Sequence, residues 1–231
     1  MTTTPHFILD ESAKDPDADI WFAEPAGFTP LPLDILLASP DSPAAHELRT
    51  AFAPFLDAAP DEVTRQRFVA QVAEGQRLLA ALREVGTVHC SIGLHRDDVD
   101  DTVSGNGQPL FSVLTLSWRD TAAASRAATA ARAVTSAEGL ANIEYLELPC
   151  GPATFSESVR TPSADSGLSP QALLQIHAHL PHPDCKRLVV LTLSTTAIAR
   201  REQYRTILQQ IAETVSFDNP LAEAESQGHR P

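Results

Sequence analysis

Residues 186–217 read KRLVVLTLSTTAIARREQYRTILQQIAETVSF, and the spacing of their apolar side chains changes partway along. Val189, Leu191 and Leu193 alternate with period two, whereas Tyr204, Ile207, Leu208, Ile211, Ala212 and Val215 recur at intervals of three and four. Side chains alternate across a strand and return to one face of a helix every three or four residues. The stretch predicts a strand, a short polar hinge and a helix from Arg200 to Val215 laid against a sheet, closing on Phe217. It defines an architecture and names no chemistry.

Working outward, Ala172–Leu180, Ala153–Arg160 and Ile143–Leu148 read as further strands, separated by turn-rich segments containing Pro and Gly. Thr87–His95 and Leu110–Arg119 read as a long hairpin, and an alanine-rich helix is expected from Thr121 to about Ser136 with Asp120 as its cap. Val113-Leu-Thr-Leu-Ser recurs verbatim as Val190-Leu-Thr-Leu-Ser, which suits two strands in similar central environments more than a duplication. Nearer the start, Ser42-Pro43 and Asp61 are helix-starting signals for helices to about Leu56 and to Val85, the second stopped by Gly86. In that second helix Phe68, Val72, Leu78, Leu79 and Leu82 fall mostly on one face, with Arg, Gln and Glu on the solvated one. Glu24 to Leu33 holds three prolines and a glycine and reads as irregular or extended. Residues 1–19 read as a strand and loop extension, 20–217 as one domain, and 218–231 as a disordered polar tail.

The chain of 231 residues carries a net charge of −13. An acidic balance opposes binding to nucleic acid phosphates and to anionic membrane surfaces; it reads first as a solvated, mutually repelling surface, with a basic protein partner as the alternative. No apolar run approaches the roughly 18 residues of a membrane span. Cys90, Cys150 and Cys185 are odd in number and far apart, which predicts reduced thiols and a cytoplasmic setting.

The order of elements, with Trp21-Phe-x-x-Pro-x-Gly-Phe at the front, Gly151-Pro-Ala opening a strand, Gln175-Ile-His-Ala-His-Leu-Pro, Val190-Leu-Thr-Leu-Ser-Thr and the closing Tyr204-x-x-Ile-Leu-x-x-Ile-Ala-x-Thr-Val-x-Phe, resembles the PsbP-like family, in particular its actinobacterial LpqN-type branch. The resemblance covers about Ile20 to Phe217 and rests on packing positions. It implies an α/β class fold, an α/β/α sandwich with a mostly antiparallel sheet and helices on both faces, and a non-enzymatic role in binding other proteins. A lipoprotein signal, found in LpqN-type relatives, is missing.

Chemistry-bearing clusters are few. His177, His179, His182 and Cys185 are zinc-type donors, but their spacing matches no usual ligand pair, and solvent-facing histidines on a sheet edge are the favoured reading. Asp97, Asp98, Asp100 and Asp101 come in adjacent pairs without the closing Glu of a calcium loop and read as a solvated hairpin tip able to dock on a basic partner. Trp21, Phe22 and Phe28 fit a plug at one end of the core, with a recognition patch as the alternative. Cys90 and Cys150 lack an activating neighbour, and no serine sits in a nucleophile elbow. The expectation is a protein-binding accessory module of adaptor, chaperone or inhibitor type, without catalytic residues, metal or cofactor. Asp97, Asp98, Asp100, Asp101, Trp21 and Phe28 are its candidate contacts. A small-molecule or lipid carrier with an apolar pocket between sheet and helices is the alternative, and a metal-dependent hydrolase the last.

Overall fold

A computed structural model of the chain describes residues 7–9, 19–96, 109–135, 139–161 and 171–219. Its centre is a seven-stranded sheet, and every neighbouring pair of strands in it is antiparallel. In chain order the strands are β3 (Phe28–Pro30), β4 (Thr87–Arg96), β5 (Pro109–Asp120), β6 (Ala141–Leu148), β7 (Gly151–Arg160), β8 (Leu173–Pro181) and β9 (Arg187–Thr195), and in space they run β3-β4-β5-β9-β8-β7-β6. A separate two-stranded sheet pairs β1 (Phe7–Leu9) with β2 (Ala23–Pro25).

The repeated pentapeptide pairs with itself. Val113 faces Ser194, Leu114 faces Leu193, Thr115 faces Thr192, Leu116 faces Leu191 and Ser117 faces Val190. Alternation then places all four leucines on one face, each at most 1% exposed, and the two threonines opposite one another on the other.

The helix α5 (Arg201–Glu213) covers the leucine face. A 3-10 turn at Ile198–Arg200 leads into it, and its i, i+4, i+7, i+8 positions Tyr204, Leu208, Ile211 and Ala212 are all buried in one cluster with Leu174, Ile176, Ala178 and Leu180 of β8. Arg205 of α5 also bonds Glu157 of β7 through Nη1 at 2.5 Å. The helix α4 (Arg126–Thr135) meets residues of the opposite parity on β7: Thr154 Oγ1 donates to the Ala130 carbonyl at 2.6 Å. This helix begins five residues later than its sequence suggests. Asp120 is held in β5 opposite Arg187, Thr121 N–H donates to the Lys186 carbonyl at 2.7 Å, and the Ser125 hydroxyl accepts from Ala128 N–H at the actual start.

The three remaining helices are α1 (Leu33–Leu36), α2 (Pro43–Asp57) and α3 (Glu62–Glu84). Ser42 and Asp61 cap α2 and α3 as expected, accepting from Ala45 N–H at 3.1 Å and Thr64 N–H at 2.7 Å. Gly86 closes α3 at φ +90°, and a Cβ there would lie 2.3 Å from the Trp118 carbonyl oxygen, so only glycine fits. The segment around Glu24 is more regular than its prolines suggest: β3 is an edge strand, where Pro30 interrupts no second ladder. Among the described residues, no helix is long and apolar enough to cross a membrane.

Stability therefore rests on the sheet and α5, since α3 buries none of its residues. Leu193→Ala is expected to cost about 2–5 kcal/mol in urea unfolding, and Leu78→Ala, with its side chain exposed, less than about 1 kcal/mol. Comparable losses from the two would show that α3 belongs to the cooperative core.

Candidate functional site

Asp97, Asp98, Asp100 and Asp101 lie outside the described residues, as do the segments 162–170 and 220–231. Trp21 and Phe28 do not form an accessible patch. Trp21 is bridged through its backbone to Ser216, Phe28 packs edge-on to His95, and both are buried, as is Phe22. The three rings close the core beside α5 because β2, β3 and the chain beyond α5 meet there, with Thr214 Oγ1 accepting from Ala23 N–H at 2.9 Å.

The four zinc-type candidates separate. His177 and His179 share one face of β8, their ring centroids 6.0 Å apart. They are neither at a sheet edge nor in solvent, because β8 is flanked by β7 and β9 and α4 packs on the same face: His179 is buried and His177 mostly so. His177 Nδ1 lies 3.0 Å from Thr192 Oγ1, and His179 Nε2 lies 3.3 Å from Ser156 Oγ. His182 instead turns to Asp184 at 3.0 Å, between the Trp118 and Phe217 rings. Cys185 sits in the following turn at φ +60°, its thiol directed to the Pro183 carbonyl. Among the described residues no three ligating side chains gather at metal-binding distance.

One carboxylate does collect a serine and a histidine. Glu24 is buried, and its Oε1 accepts from Ser91 Oγ at 2.5 Å and contacts His89 Nε2 at 2.9 Å. Because Ser91 donates to the carboxylate and not to the imidazole, His89 is not placed to activate it. The cluster locks β2 onto β4. Cys90 beside it is buried, and burial first, then the Glu24 charge, pushes its thiol up to about 11, far from a reactive thiolate.

The surface with the clearest unused capacity is the α2–α3 hairpin. Ring contact between Phe52 and Phe68, centroids 5.7 Å apart, and the Arg65 Nε bond to the Leu56 carbonyl join the helices. Between them runs an apolar groove of ≈ 340 Å³ walled by Leu48, Phe52, Leu56, Phe68, Val69 and Val72. It continues past Leu48 and Ala73 toward Ile35 and Leu36 of α1. Val63, Val69 and Leu78 are more than half exposed. The apolar spacing on α3 was visible in the sequence, but nothing there showed that its apolar face, Phe68, Val72, Leu79 and Leu82, would be only half-buried and Leu78 exposed. A scan against protein-family models finds no match, and a search of curated proteins finds no significant match.

The β8 histidines make an acid response. Burial is the main cause that lowers both to about 4, reinforced for His177 by Arg119 and Arg160 and for His179 by His177 and Arg119. The unfolded chain takes up these protons near pH 6.5 and the folded chain only near 4, so stability falls as pH drops through that window. We expect a loss on the order of 2–3 kcal/mol per histidine between pH 7 and pH 4.5 in urea titrations, reduced in His177→Gln. The carboxylates held low titrate beneath this window: Asp61, bonded by Thr64 N–H, and Asp184, where bonds from Arg187 and the backbone outweigh desolvation. An unchanged slope in the variant would assign the loss to other groups.

Proposed function

We propose that the chain is a protein-binding module whose working face is the α2–α3 groove. The observation that carries this reading is a 23-residue helix, α3, with no buried residue and an apolar groove along its side. A helix normally gains its stability by burying an apolar face. An uncovered apolar surface rimmed by polar groups is the usual mark of a site for another protein. The occupant we assign is an amphipathic helix of a partner, laid between α2 and α3 by the helix-in-groove mode.

The charge fits a division of labour. Along α3 four arginines stand against three glutamates, so the groove itself is close to neutral while the whole chain carries −13. In this reading the acidic surface speeds encounter with a basic partner, and apolar contact in the groove sets how long it stays. The proposal includes the α/β/α sandwich, supported by the opposite parities at which α4 and α5 meet β7. The resemblance to the PsbP-like family belongs to the same reading and supports a role without a catalytic step.

A second reading, a carrier of a small apolar ligand, is favoured by the recessed shape of the groove. It would place the ligand between two helices, because the α5–sheet interface is filled by fully buried side chains.

Photo-crosslinking in cells from a reactive residue placed at Ala73, on the groove wall, tests the assignment. A partner captured there, and lost at least tenfold in Val69→Asp, supports it; ten times in affinity is about 1.4 kcal/mol. Undiminished capture in Val69→Asp would refute it. A dimer that crosslinks only to itself would make a second copy the occupant, and a bound apolar molecule seen by native mass spectrometry would favour the carrier.

A further inference from the structure

The geometry points to a second site, a pocket between α4 and the sheet that binds the phosphate group of a small molecule. The pocket, of ≈ 260 Å³, lies between the end of β5 with the connection that follows and the side of α4, and its polar lining is Arg119, Asp120, Thr121, Thr129, Arg132 and His179. It is remote from the groove in its lining residues and does not rest on the protein-binding reading.

The walls carry unused hydrogen-bonding capacity. His179 is 7% exposed and Thr129 5%, yet His179 Nδ1, Thr129 Oγ1 and Thr121 Oγ1 are buried without a hydrogen-bond partner among the described residues. Buried polar atoms are costly when unsatisfied, so water or a ligand must meet all three. A single water needs only about 10–15 Å³, and the pocket is far larger.

The donors also have a shape and a sign. Arg119 comes from the end of β5, Thr121 from the connection, Thr129 and Arg132 from α4, and His179 from β8. Donors converging from four elements suit a tetrahedral oxyanion, whereas a planar carboxylate is usually held by one guanidinium fork. Two guanidiniums, Arg119 and Arg132, and one carboxylate, Asp120, line the pocket in a chain of net charge −13. Burial first, then His177 and Arg119, lowers His179 to about 4, so its ring is neutral at pH 7. With Ser156 Oγ donating to Nε2, the ring would present Nδ1–H to the pocket. The frame is rigid: Arg126 donates to the Cys150 and Pro181 carbonyls and Thr154 to the Ala130 carbonyl, pinning α4 over the face.

The test is an NMR titration of the full chain with inorganic phosphate at pH 7 and constant ionic strength, read at the His179 ring nitrogens and the Thr129 amide. We expect saturable shifts at both, with half-saturation below about 10 mM, ten times the 1 mM constant that corresponds to about −4 kcal/mol. Arg119→Gln, at an exposed position, is expected to weaken binding at least tenfold, and Thr129→Val to weaken it with the fold intact. No saturable shift, or an unchanged titration in Arg119→Gln, would mean that water alone fills the pocket and overturn the site. Acetate binding as tightly as phosphate would overturn the phosphate assignment.

Discussion

The pairing of one pentapeptide with its own copy at the middle of the sheet is the constraint on which the other parts depend. Antiparallel register around Thr115 and Thr192 forces Leu114, Leu116, Leu191 and Leu193 onto a single face. That face has no polar residue at its centre, so it must be covered completely, and α5 supplies four buried side chains at helical spacing to do so. A one-residue slip would turn every leucine to the opposite side. Trp21, Phe22 and Phe28 follow from the same requirement, because α5 leaves the end of the leucine face open and the returning N-terminal segment fills it.

The opposite face obeys a different rule. Thr154, Ser156 and Ser158 on β7 and His177 and His179 on β8 are polar, yet largely buried. Such groups tolerate burial best when bonded: Thr154 reaches the Ala130 carbonyl, Ser156 meets His179 and His177 meets Thr192, while Ser158 Oγ has no partner among the described residues. Alanines at 127, 128, 130, 131 and 133 let α4 approach closely enough for the Thr154 bond. Beside this contact Thr129 Oγ1, His179 Nδ1 and Thr121 Oγ1 have no partner among the described residues, and they line the proposed phosphate pocket.

Much of the fold was legible because each signal was local. Ser42, Asp61 and Gly86 act on their own helix ends, and the period of Val189–Leu193 acts on its own strand. The start of α4 was misread for a non-local reason: Asp120 is a good cap in isolation, but pairing with Arg187 keeps it in β5 and passes the cap to Ser125. The histidines were misread for the same reason. Their common face follows from alternation alone, but that β8 lies inside the sheet and under α4 depends on strand order, which no local pattern encodes. Trp21 and Phe28 were legible as core, and only their aromatic character suggested a surface role.

The uncovered state of α3 could not be inferred from periodicity, because periodicity shows which side of a helix is apolar and not whether anything meets it. Its first and last turns are well made, with Asp61 capping one end and Gly86 ending the other, and its main sheet contact is with β4. A segment joined to the sheet at its margin can keep apolar surface for use elsewhere. The central leucine face has no such freedom, since uncovering it would remove the contacts that hold β5, β8, β9 and α5 together. The apolar surface available for recognition is therefore found where the fold does not need it, on the hairpin farthest in sequence from α5.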